Sequence, residues 1–112
     1  MTDEDIMLCG SVIQKASMER NQVENSAKKV EEIQIRMAME LGRIFNILFD
    51  EKEAKEACEK LQDVAIQKNK QILKRSRRMT EDTKKKERVM IEIVGWLLAK
   101  KLAMQREKTG TG

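Results

Sequence analysis

The sequence predicts an all-α protein: a three- or four-helix bundle with coiled-coil-like heptad packing, oligomeric, with a long helical rod as the alternative arrangement. Three observations predict it. The 112 residues contain no proline and only five glycines, two of them in the terminal TGTG, so few positions break a helix. Ala, Glu, Lys, Leu and Arg account for 53 residues, a composition typical of long helices and coiled coils. Charged residues reach 38%, against roughly 25% in ordinary domains, so much of each helix must face water. Phe45, Phe49 and Trp96 are the only aromatics, which leaves the core to Ile, Val, Leu, Met and Ala.

One helical domain is expected over residues 1–108, with 109–112 a flexible tail. A first helix is read over residues 3–19. Thr2 can cap it, Asp3, Glu4 and Asp5 complement its dipole, and Ile6, Cys9, Ile13 and Ala16 form an apolar stripe. The polar stretch MERNQVENSAKK follows. A second helix is read over 22–49, where Val23, Ala27, Val30, Met37, Leu41, Ile44 and Leu48 make a heptad seam with Gln34 at its one polar position. Asp50 followed by Glu53 has the form of a capping box and opens a third helix over 51–79. Ala54, Cys58, Leu61 and Ala65 share one of its faces, but beyond Gln67 it has little to bury. Thr80, with Glu81 and Asp82, is the start signal for a last helix over 81–108.

The last helix carries KKKERVMIEIVGWLLAKK, residues 84–101, which holds the only tryptophan. From Val89 to Ala99 it is about 16 Å long, against a hydrocarbon core of about 30 Å, so it cannot span a bilayer. Apolar side chains cover nearly its whole circumference, which places it in the interior of a bundle or oligomer. Gly95 and Ala99, four apart, would let another backbone approach closely. The helix-packing or partner interface is therefore read as Met37, Leu41, Ile44 and Leu48 together with Val89, Ile93, Trp96 and Leu97.

Nothing in the sequence announces a reaction. It has no histidine, no tyrosine and no phosphate-cradling glycine loop, and Cys9 and Cys58 stand among apolar residues as small buried hydrophobes do. No cofactor, metal or small-molecule substrate is expected, and no enzyme. The acidic start MTDEDIML lacks the form of a signal peptide, so a cytoplasmic or nuclear location is expected, without membrane association.

The charge is lopsided. Residues 1–60 carry 13 acids and 9 bases, residues 61–112 carry 6 acids and 14 bases. From Gln67 to Arg88 there are ten bases and three acids. Lys68, Lys70, Lys74, Arg75, Arg77, Arg78, Lys84, Lys85, Lys86 and Arg88 thus form the candidate surface for nucleic acid, another polyanion or an acidic partner. No aromatic interleaves them, so no stacking platform for single strands is present. Within the run, NKQILKRSR superficially resembles the basic region of basic leucine zipper proteins at Asn69, Ser76 and Arg77. Ile72 and Leu73 stand where that family has an alanine pair, and no leucine heptad follows in register, so membership is not assigned. The run also has the form of a nuclear-import signal, and RRMT makes Thr80 a candidate phosphorylation site. LGRIFNILF has export-signal-like spacing and resembles the groove-binding helix of pro-apoptotic proteins, but a buried core produces the same periodicity. The sequence leads to a non-enzymatic protein–protein interaction adaptor or assembly subunit, self-associating and bearing a basic surface. The alternative is a nucleic-acid-binding protein working through residues 68–88.

Overall fold

The structure, a computed structural model, describes residues 2–23, 27–68 and 83–110. Among these residues there are four α-helices and no strand: α1 (Asp3–Gln22), α2 (Ala27–Ile44), α3 (Glu51–Lys68) and α4 (Thr83–Gly110). Of the sequence candidates, Lys70, Lys74, Arg75, Arg77, Arg78 and Thr80 lie outside the described residues, as do the side chains of Lys68, Lys84 and Lys85.

The ends of the helices follow from local chemistry. Thr2 caps α1 in a reciprocal box: its Oγ1 accepts from the Asp5 N–H at 3.1 Å, and its own N–H donates to the Asp5 carboxylate at 3.2 Å. Asp50 caps α3, its carboxylate accepting from the Glu53 N–H at 2.7 Å. The end of α2 corrects the expectation of a helix to Phe49. Asn46 adopts a left-handed backbone with φ 59°, the Ile47 N–H donates back to the Gly42 carbonyl at 2.8 Å, and the Asn46 N–H donates to the Arg43 carbonyl at 3.1 Å. This pair of bonds is a Schellman cap, with asparagine in the place more often held by glycine. The chain then doubles back so tightly that a Cβ on Gly42 would collide with the Ile47 carbonyl oxygen.

The helices fold back on one another rather than continuing as a rod. The ion pairs Lys15–Glu40 (3.2 Å) and Glu19–Arg36 (3.0 Å) set α1 antiparallel to α2. Contacts of Asp5 with Arg106, Ser17 with Glu92 and Arg20 with Glu87 set α1 antiparallel to α4. The longest dimension, 50 Å, barely exceeds α4 alone, about 42 Å at 1.5 Å per residue.

All four helices feed one core: Cys9, Ile13 and Ala16 from α1; Ile33, Met37, Ala38 and Leu41 from α2; Ala54, Cys58, Leu61 and Ala65 from α3; Ile91, Val94, Leu98, Ala99 and Leu102 from α4. Helices approach closely at Gly95, where a Cβ would sit 2.7 Å from Ile13 and 3.1 Å from the Met37 sulfur. Gly95 and the fully buried Ala99 do let a second helix approach closely, as their size suggests. On α2, Ile33, Met37, Leu41 and the capping Phe45 follow a four-residue ridge, whereas Val30 and Ile44 are only half-buried. A helix with 3.6 residues per turn drifts by about 20° per heptad, so the seven-residue seam moves off the core. Leu48 stands 81% exposed beyond the Asn46 turn.

The turn generates a test. Alanine at position 42 gains about 1 kcal/mol of helix propensity, but the obstacle to its methyl is a backbone carbonyl. We expect Gly42→Ala to lower stability by a net ~2 kcal/mol through overpacking. Asn46→Gly is expected to be neutral or to gain less than about 1 kcal/mol, while Asn46→Val loses more than about 1 kcal/mol. Urea denaturation measures all three; a neutral Asn46→Val would contradict the cap.

Candidate interaction surface

The charged residues of α1 are placed in a way that sequence periodicity does not suggest. The buried stripe of this helix is Asp5, Cys9, Ile13, Ala16, Ser17 and Arg20. Ile6, placed on the apolar stripe by its spacing, is instead largely exposed, and Asp5 takes the inward position. Both inward charges are met by α4. Arg20 has a fully buried side chain, and its Nε and Nη2 donate to the two oxygens of the Glu87 carboxylate at 2.9 and 3.2 Å, while Nη1 reaches the Val23 carbonyl at 3.4 Å. Such a two-pronged pair fixes orientation as well as charge. One turn nearer the centre, the Arg88 Nε donates to Ser17 Oγ at 3.1 Å, and that hydroxyl donates to the Glu92 carboxylate at 3.1 Å. At the other end of α1, Arg106 donates to Asp5 and lies 4.8 Å over the Phe45 ring.

The two remaining charged residues between Ile6 and Gln22 are Lys15 and Glu19, and both turn toward α2. Lys15 still exposes 60% of its side chain, so the outward side of α1 carries one charge over about 24 Å. Its uncharged strip is Met7, Ser11, Gln14, Met18 and Asn21, with Met7 74% and Met18 51% exposed. Beside them runs a groove between α1 and α4, floored by Gly10, Ile13, Val89, Ile93, Trp96 and Leu97 and bordered by Arg88 and Lys100. Trp96 lies against this groove, its ring 3.8 Å from the Cβ position of Gly10, and remains 40% exposed. That corrects the reading of its stretch as uniformly interior: Ile91, Val94 and Leu98 are buried, while Val89, Ile93 and Leu97 are half-buried on the flank.

Of the other interface candidates, Met37 and Leu41 are core, Ile44 is half-buried at the end of α2, and Leu48 lies outside the core. Of the basic candidates, Lys86 and Arg88 are half-buried at the start of α4, the latter bound to Ser17. Asp5 and Arg20 were not among the candidates, although they step in register with Cys9, Ile13 and Ala16.

Neither thiol is poised for chemistry. Burial, and then the charge of Glu59, push Cys58 up to about 12, and its Sγ–H donates to the Gln34 carbonyl at 3.4 Å. Burial, followed by Asp5, raises Cys9. A thiolate is the reactive form, so both behave as small apolar groups at neutral pH. Among the described residues no cluster of His, Cys, Asp or Glu could hold a metal ion, and no helix is long and apolar enough to cross a membrane. Comparison of the chain with models of protein families, with curated proteins and with solved structures finds no match.

The α1–α4 seam is acid-sensitive. Arg106, and then the Thr2 backbone N–H, hold the Asp5 carboxyl below its ordinary value of 3.8, against an opposing contribution from burial. A depressed carboxylate stabilises the fold above the unfolded value, about 3.9, and that contribution is lost as pH falls through the folded value. Thermal melts from pH 7 to pH 2 should therefore show a steep acid limb below about pH 4. Asp5→Asn should melt lower at pH 7 and flatten that limb; an unchanged limb would mean that Asp5 carries none of it.

Proposed function

We propose that this chain is a non-enzymatic helical interaction protein, an adaptor or assembly subunit, whose contact surface is the α1–α4 face. The observation that carries this reading is the scarcity of charge on the outward side of α1. The chain is 38% charged, and α3 exposes eight charged residues, Glu51, Lys52, Glu53, Lys55, Glu56, Glu59, Lys60 and Asp63, beside Val64, Ile66 and Gln67. Between Ile6 and Gln22, α1 exposes one charge, Lys15, among Ile, Met, Leu, Ser, Gln and Asn, next to a part-exposed tryptophan. Interface centres are depleted in charge and enriched in methionine and aromatics, within a polar rim. Arg88, Glu92 and Lys100 line the groove here. No cofactor or metal enters this reading.

The basic segment 68–88 contributes a second, electrostatic contact. Its ten bases in 21 residues, counted from Lys68 to Arg88, also favour a nucleic-acid-binding role. One experiment separates the two. The wild-type chain, a face variant (Met18→Glu with Trp96→Gln) and a basic variant (Arg75, Arg77, Lys84 and Lys85→Ala) are crosslinked in the source cells, and the captured molecules are identified. Each variant is first checked for helicity by circular dichroism. The interaction reading expects the face variant to lose the protein partners and the basic variant to keep them. Retention of every protein by the face variant, with loss of DNA or RNA by the basic one, would hand the function to the nucleic-acid reading.

A further inference from the structure

We propose that the partner seated on the α1–α4 face is a second copy of this chain, with the two α1 helices packed antiparallel across a two-fold axis; the inference rests on the interaction reading and names its partner. A two-fold interface must be self-complementary, because each surface patch meets its own copy. The outward side of α1 meets that condition. About the point midway between Val12 and Ile13, Met7 is the mirror position of Met18, Ser11 of Gln14, and Glu4 of Asn21. An antiparallel pair therefore sets Met7 on the partner's Met18 at both ends, and in the middle the mirror pairs Ser11 with Gln14 and Gly10 with the exposed Lys15.

Charge then selects the direction. The exposed acids of α1 are Asp3 and Glu4, at its start. In the antiparallel pair, Glu4 falls at the partner's Asn21, which borders the same groove as Arg88. Each end of the interface thus brings an acid toward a base. A parallel pair would instead set the Asp3 and Glu4 of both chains side by side, which disfavours it.

Sedimentation equilibrium on the purified chain tests the proposal. A reversible dimer is expected, with Trp96 emission moving to the blue as concentration rises. Met7→Lys and Met18→Glu, both at exposed positions, should each leave the circular dichroism unchanged and weaken the dimer by about tenfold or more. Mixing the two variants should restore association, because the lysine introduced in one chain then faces the glutamate introduced in the other. A chain monomeric up to millimolar concentration, a dimer indifferent to both substitutions, or two weakened variants that do not recover on mixing would each overturn the antiparallel pair. A monomer that still loses its crosslinked partners when Met18 and Trp96 are replaced would remove the second copy and leave the interaction reading intact. Failure of both experiments would remove both.

Discussion

The rest of the structure depends on the pair formed by Arg20 and Glu87. A guanidinium withdrawn from water to 0% exposure costs several kcal/mol unless a carboxylate meets it in good geometry, and Glu87 does so through both oxygens. That requirement fixes how far α4 can slide along α1. Once Glu87 is opposite Arg20, Glu92 comes to Ser17, Gly95 to Ile13 and Arg106 to Asp5, in antiparallel order along the seam. Apolar packing supports the same register, because only a residue without a Cβ fits at position 95 against Ile13. The polar contacts add to it, since a shift would separate a buried charge from its carboxylate.

The surface is the other side of the same constraint. With Asp5 and Arg20 consumed by α4, and Glu19 engaged with α2, α1 leaves only Lys15 well exposed among its charges beyond the first turn. Its outward side is then methionine and small polar residues, bordering Trp96 and the flank of α4. The interior electrostatics and the proposed contact face are therefore one arrangement: charges drawn inward to set register leave a face suited to a partner.

Much of this was legible in the residues, and the misses have physical causes. The all-α class, the Ala54–Ala65 face of α3, the Asp50 cap and the close approach at Gly95 rest on local rules of spacing, capping and side-chain size, and the structure contains each of them. The end of α2 was not legible, because a left-handed asparagine is a weaker signal than glycine and the apolar run continues through Phe49. Hydropathy ranks charge as outward, so Asp5 was given only a dipole role and Arg20 only a place in a polar stretch, although both keep step with Cys9, Ile13 and Ala16. Trp96 was read as interior because its helix is apolar nearly all round. The core takes Ile91, Val94, Leu98 and Leu102 and the small Gly95 and Ala99, which leaves the bulkier indole on the flank. Coiled-coil heptads and an oligomeric state remain expectations of sequence, carried into the proposals above.

The central claim is that the Arg20–Glu87 pair holds α1 in register on α4, and a double-mutant cycle tests it most directly. Urea unfolding would be measured for wild type, Arg20→Met, Glu87→Met and the double variant. Each single substitution should cost about 3 kcal/mol, because it removes one side of a buried charge pair, and the double should cost far less than their sum, with a coupling energy above about 1 kcal/mol. Additive losses would show that the two side chains act independently, and the register of α1 on α4 would then have to come from apolar packing alone.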